Sequence, residues 1–364
     1  MKGRGSAAPA ADSPEPGSGT SRTAIFAGLV CLLAAAFAAD LALGSVRIPL
    51  ADLVRILTGG TPARSSWTAI VRLIRLPRAL TALLAGSALA TAGLLMQTVF
   101  RNPLAGPFVL GVGSGASLGV ALVVLLAGGS ASAFLAAAGL LGDSGLVLAA
   151  SLGAAAVLAL VLAASRRVRN VMTLLILGLL FGYAAGAGVN VLIHLSSAER
   201  IQAYISWTFG TFGGVTWSQL RILAPLVLIC VLGAQLARKQ LDALLLGEAY
   251  ARSMGQEVRR TRIVLLILTS LLSGGVTAFC GPIAFLGVAI PHLCRSLLSG
   301  SDHRLLLPGC ALLGGAAALL ADLAAQLPGS TAVLPLNAVT SLIGAPVIIA
   351  VVLKRRNLER SFAA

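Results

Sequence analysis

The sequence predicts an all-α integral membrane protein of about ten transmembrane helices, built as two inverted five-helix halves with both termini in the cytoplasm. Three observations lead there. The 364 residues are 57% hydrophobic and 11% charged, with a mean hydropathy of +0.95, against about 45–50% apolar for a soluble domain. Apolar runs of membrane length, about 18 residues or more, recur along most of the chain. The runs lack period-2 alternation, and of the two structures that satisfy their own backbone in lipid this selects helices over a barrel.

Residues 1–22 are rich in Pro, Gly, Ser and Ala without apolar periodicity, the composition of a disordered tail. A polytopic membrane domain follows over 23–356, and 357–364 form a short cytoplasmic tail. The expected spans are 24–44, 79–99, 108–128, 146–164, 171–195, 219–237, 261–280, 284–299, 306–327 and 335–353. The first could be a signal peptide, since Ala36-Phe37-Ala38 resembles a cleavage site. Its full membrane length argues for a span.

An even number of spans puts both ends on one side. With that side cytoplasmic, 19 of the 27 Lys and Arg fall inside and 8 outside, as the positive-inside rule requires. The net charge of +15 is thus a topology signal and not a nucleic-acid footprint. One external loop departs from the rule. Residues 45–78 carry Arg47, Arg55, Arg64, Arg72, Arg75 and Arg78 against Asp52 alone; this is either an exception without meaning or a surface for an acidic partner. Five spans per half imply an inverted repeat. Its trace is Pro107-Phe-Val-Leu-Gly111 after the second span and Pro282-Ile-Ala-Phe-Leu-Gly287 after the seventh.

Each ionisable group near the bilayer centre costs about 2.5–3.5 kcal/mol on insertion scales. Few occur: Asp40, His194 and Asp322, all towards outer ends. Asp322 reads as a hydrogen bond to a neighbouring helix or as a substrate or proton group. In the fifth span Gly178, Gly182 and Gly186 share one face at i+4 spacing. They allow either close helix packing or a wide pathway. Trp67, Trp207 and Trp217 fall outside the spans as interfacial anchors, and 204–217 reads as a re-entrant aromatic segment. The five cysteines, 31, 230, 280, 294 and 310, have no metal spacing and read as packing residues.

The chain offers no catalytic residues, no metal ligands and no phosphate loop, and it never contains Gly-Lys. ATP-driven work would have to come from another subunit. A secondary carrier is disfavoured by the scarcity of buried charge, and a membrane enzyme by the lack of any nucleophile–base or metal constellation.

The stretch 244-LLLGEAYARSMGQEV-258 stands apart. Gly247 and Gly255 bracket a short helix in which Glu248 and Arg252 are i,i+4 partners in the favourable order. Tyr250 and Met254 form an apolar edge. It is a loop helix lying on the membrane surface or a docking knob for a cytoplasmic partner. Its first twelve residues resemble the coupling segment of the binding-protein-dependent permeases for ferric siderophores, haem and vitamin B12, the FecCD family. Three further blocks match in order: 75-RLPRALTALLAGSALATAGLLMQTVFRNPLAGPFVLGVGSGASLG-119, 281-GPIAFLGVAIPHLCRSLLSGSDHRLLLPG-309 and 340-TSLIGAPV-347. The likeness covers roughly residues 25–355.

The resemblance implies a permease that pairs with a second permease chain, identical or paralogous, around a central pathway. It implies cytoplasmic ATP-binding subunits that carry the ATP and magnesium, and an extracytoplasmic substrate-binding protein. Leu246, Gly247, Glu248, Ala251, Arg252, Met254 and Gly255 would dock the ATPase, with Asp302, His303 and Arg304 as a secondary cytoplasmic contact. Arg75 and Arg78 match the family's docking arginines for the binding protein; Arg72, one turn earlier, is added here. The chain itself would bind no cofactor. The cargo class is a metal chelate, with a ferric siderophore preferred and haem or cobalamin as alternatives. Two departures stand out. Gln326 replaces an arginine that relatives commonly carry, and Val333-Leu334-Pro335-Leu336-Asn337 lacks their acidic residue.

Overall fold

The computed structural model describes residues 18–126, 143–168, 170–330 and 332–362. Most of the expected N-terminal tail lies outside them, but the chain is already helical at Ser18. The expected C-terminal tail is helical through Phe362.

Among the described residues the chain is all-helical. Seven helices are long and apolar enough to cross a membrane: α1 (Ser18–Ala42), α3 (Ser66–Val99), α5 (Asp143–Arg167), α6 (Val171–His194), α8 (Trp217–Leu236), α11 (Val258–Cys280) and α13 (His303–Ala325). Three carry shorter apolar stretches: α4 (Val112–Leu126), α12 (Leu286–Leu298) and α14 (Leu336–Phe362). Together they are the ten expected. Outside them lie α2 (Leu50–Leu57), α7 (Ala198–Thr208), α9 (Arg238–Leu246) and α10 (Glu248–Ser253).

Two boundaries differ from expectation. The loop 45–78 is largely helical. α2 buries Asp52, Leu53 and Ile56, and α3 starts at Ser66, thirteen residues before the expected span at 79. Pro77 suggests a break, but the turns over Ile70–Arg75 are wide π turns. Such turns absorb the lost N–H and the ring that interrupt regular helix. The expected span 108–128 is also broken. Pro107–Leu110 is a 3-10 turn, Gly111 is left-handed at φ 74°, and only then does α4 begin.

The helix pairings repeat with inverted polarity. α3 packs on α13, as α11 packs on α5; α4 packs on α5 and α6, as α12 packs on α13 and α14. The related helices α3 and α11 pack on each other at the centre. They run in opposite directions: α3 begins at the end holding Asp322, and α11 begins at the end holding Glu248.

The α3–α13 contact is close. A methyl group on Gly86 would overlap the carbonyl oxygen of Gly314, and one on Gly314 would overlap that of Gly86. Small residues bring backbones together where lipid offers no hydrophobic drive. Gly86→Leu or Gly314→Leu should destabilise the bundle by about 1–3 kcal/mol or more. Gly28→Ala, with nothing within 4 Å of its added carbon, should be neutral. Thermal unfolding in detergent checks both, and equal melting temperatures would contradict the packing.

Candidate functional site

The candidate groups gather at the two ends of the bundle and around a cavity beside α6. At the end that the positive-inside count assigns to the cytoplasm, α8 leads through α9 and α10 into α11. Gly247 joins α9 to α10 at φ 121°, a backbone conformation that glycine adopts without the cost of a Cβ; Gly255, at φ 79°, ends the segment. Ala251 is fully buried and seats α10 on the bundle, while Leu246, Tyr250 and Met254 stand out at 65%, 47% and 65% exposed. Glu248 pairs with Arg252 at 3.1 Å and also with Arg262 on α11. The sequence reading found the first pair and missed the second. Its signal was the group Arg259, Arg260 and Arg262 in the first turns of an apolar helix, of which only Arg262 is buried.

The secondary contact set divides. Asp302 caps α13, accepting from the Arg304 backbone N–H at 2.8 Å, and both residues are exposed. His303 is corrected: it is 1% exposed and no part of a surface. Its Nδ1 lies 2.6 Å from Asp242 Oδ1 on α9, and its Nε2 lies 2.8 Å from Thr98 Oγ1 on α3. The cause is the cap at Asp302, which turns the next side chain inward.

At the opposite end the three expected docking arginines have different fates. Arg72 is exposed, and its guanidinium donates to the Ile56 carbonyl at 2.8 Å. Arg75 is corrected as well. It is buried and donates to the carbonyls of Leu41 and Val46, closing the C-terminal end of α1; helix-end carbonyls need such partners. Arg78 makes a two-pronged pair with Asp322, Nε to Oδ2 at 2.7 Å and Nη2 to Oδ1 at 2.9 Å. Asp322 is therefore an interhelical tie between α3 and α13. Gln326 donates its amide to Asp322 at 2.9 Å and to Asp40 of α1 at 3.0 Å. Gln326 thus ties α13 to α1 at the point where Arg78 ties α13 to α3. Trp67, expected at the interface, is instead buried, with the Arg64 guanidinium over its ring.

The glycine face of α6 serves both readings at different heights. Gly178 and Gly182 face the backbone of Leu110 and Gly111, where an added Cβ would lie 2.9–3.2 Å away. Gly186 has nothing within 4 Å and lines a cavity of about 380 Å³ with Phe108, Ser114, Ser117, Asn190 and Tyr204. Burial pushes the Tyr204 phenol up, opposed by a hydrogen bond with Ser117. Tyr204 is therefore a neutral hydroxyl at neutral pH. The cavity offers hydroxyl and amide groups and no charge. Among the described residues no group of three or more His, Cys, Asp or Glu could hold a metal ion, and four of the five cysteines are buried and all are free, Cys31 being exposed.

The FecCD transport family model matches residues 32–354. The chain belongs to that family. It is 36% identical over 317 residues to the hemin transport system permease protein HmuU of Yersinia pestis, covering 87% of this chain and 92% of that one. It is 39% identical over 287 residues to the vitamin B12 import system permease protein BtuC of Escherichia coli O9:H4, covering 78% and 83%. A solved structure of an inward-facing conformation of a protein assigned as a metal-chelate type ABC transporter superposes with a TM-score of 0.79 at 28% identity. That likeness covers 91% of this chain and 99% of the other. The chain is thus a multi-pass ABC-importer permease.

Asp322 is 1% exposed in its side chain and Arg78 16%. Arg78→Met strands a carboxylate in an apolar setting and should cost about 3–5 kcal/mol. Arg78→Met with Asp322→Leu should recover most of that in a detergent melt. A double variant as unstable as the single one would refute the pairing.

Proposed function

We propose that this chain is the transmembrane half of an ATP-driven importer in the bacterial plasma membrane, carrying a metal chelate into the cytoplasm by alternating access. The single observation that carries the reading is the α9–α10 arm. Its apolar tip of Leu246, Tyr250 and Met254 is presented outward, while its base is ion-paired to α11. A helix lying on a membrane would bury its apolar face in lipid; here the apolar tip shares its exposed surface with Arg252, which suits a protein groove. The motor is a pair of separate cytoplasmic ATP-binding subunits holding ATP and magnesium. The second permease chain has exposed apolar residues available on α6, among them Ile176, Leu180, Tyr183 and Val191, and on α14, among them Leu342, Ile343 and Ile349.

An extracytoplasmic binding protein delivers the cargo at the opposite end. With Arg75 and Arg78 engaged inside the fold, Arg72 and the exposed residues around it are left as the docking charge. Complementary charge there sets orientation and on-rate. A ferric siderophore is our preferred cargo. Haem or cobalamin is the second reading, favoured by the named transport activities of the relatives. The neutral hydroxyl and amide lining of the cavity beside α6 suits passage of any of these, because a pathway that binds weakly also releases.

Two measurements test the proposal. Tyr250→Asp with Met254→Asp should abolish co-purification with the ATPase while leaving membrane insertion intact; retained co-purification would remove the arm from the interface. Proteoliposomes holding the permease, ATPase and binding protein should take up a ferric siderophore only with ATP. Uptake driven by an ion gradient through the permease alone would overturn the importer reading.

A further inference from the structure

The inference here rests on the importer reading and concerns how the arm's movement reaches the far side of the membrane. α3 and α13 are joined at three levels. At the outer end Arg78 of α3 holds Asp322 of α13 at 2.7 and 2.9 Å. In the middle Gly86 and Gly314 bring the two backbones into contact. At the inner end the first residue of α13, His303, meets Thr98 of α3 at 2.8 Å. Two helices joined at both ends and pressed together between them move as one body, because packed interiors shift between discrete arrangements and do not bend continuously.

The arm helix α9 packs on both α3 and α13, and one carboxylate adds a polar link. Asp242, on α9 five residues before the Gly247 hinge, accepts from the His303 backbone N–H at 3.1 Å and faces the imidazole Nδ1 at 2.6 Å. Asp242 is partly exposed and His303 is buried, so the contact runs from the surface arm into the core. The other charged groups around the imidazole are Asp302, its own cap residue, and Arg295 of α12. Arg295 is engaged with the Gln97 side chain of α3, so α12 is drawn into the same inner junction.

We propose that His303 is a positioning residue that links the motor-docking arm to a rigid α3–α13 strut, which carries the arm's displacement to the Arg78–Asp322 pair at the opposite face. The ring addresses two elements at once: one nitrogen faces the arm and the other faces α3. Its two contacts can be cut separately. In His303→Asn the side-chain amide sits near the position of Nδ1, so it keeps reach to Asp242 and loses Thr98. In His303→Gln it sits near the position of Nε2, so it keeps reach to Thr98 and loses Asp242.

The experiment measures chelate imported per ATP hydrolysed by the complete complex in liposomes, with co-purification of the ATPase as the assembly control. His303→Asn, His303→Gln, Asp242→Asn and Thr98→Val are compared with the unmodified chain. The Thr98→Val change is nearly isosteric, so it reports on the contact even where a histidine replacement folds poorly. The expected result is full assembly, continued ATP hydrolysis, and a transport ratio lowered about fivefold in each variant. A merely structural role would lower the yield of assembled complex and leave the ratio of that which assembles unchanged. Unchanged ratios in all four variants, with the unmodified complex importing normally, overturn the inference alone. An unmodified complex that hydrolyses ATP but imports nothing overturns the importer reading, and the inference falls with it.

Discussion

A carboxylate inside an apolar slab must be neutralised where it stands, and in this bundle Arg78 neutralises Asp322. The rest of the architecture is arranged around that requirement. The pair fixes the outer ends of α3 and α13, and the glycine contact at Gly86 and Gly314 requires those helices to lie close enough for the pair to form. Gln326 then uses both amide protons, one on Asp322 and one on Asp40, and so brings α1 to the same point. Arg75 closes the remaining gap by satisfying the Leu41 carbonyl in the last turn of α1 and the Val46 carbonyl just beyond it. Five polar side chains that would each be costly alone become inexpensive together, because every one is bonded.

The bundle itself was legible in the sequence because lipid imposes one dominant rule. Apolar runs of sufficient length had to be helices, and the ten expected are the ten found. Boundaries failed where local chemistry outweighed hydropathy. Pro77 and three arginines made 66–78 look like a loop, yet wide turns and carbonyl partners make it helix. The start of α4 was displaced because Pro107–Leu110 is apolar enough to pass as membrane helix while Gly111 turns left-handed. Hydropathy cannot register a change in helix type.

Site residues followed a different pattern. Those in the 244–255 segment could be read because glycines at both ends and an i,i+4 ion pair are local signals. Arginines of the Arg-Leu-Pro-Arg motif have contacts the sequence did not show, because their partners are distant in the chain: Leu41 and Val46 for Arg75, Asp322 for Arg78. Asp242 and Thr98 carried no local signal. Each acquires its partner only when a helix remote in sequence arrives, at a separation of 61 residues for Asp242 and His303 and 205 for Thr98 and His303.

The arm's anchoring bears on how one motor could move both halves of an inverted fold. Glu248 ties α10 to α11 through Arg262, and Asp242 ties α9 to α13, and through His303 to α3. α3 and α11 are the two helices exchanged by the internal symmetry, and they pack on each other at the bundle's centre. A displacement of the arm is therefore delivered to equivalent helices of opposite polarity. Both direct anchors, on α11 and α13, belong to the second half, and His303 carries the second of them across to α3 in the first. With the Gly247 hinge lying between the anchors, rotation of α10 relative to α9 would shear α11 against the α3–α13 pair. Shear between packed helices is the small sliding motion by which close-packed interfaces change state, and the symmetry-related contact is where such sliding alters both ends of the pathway at once.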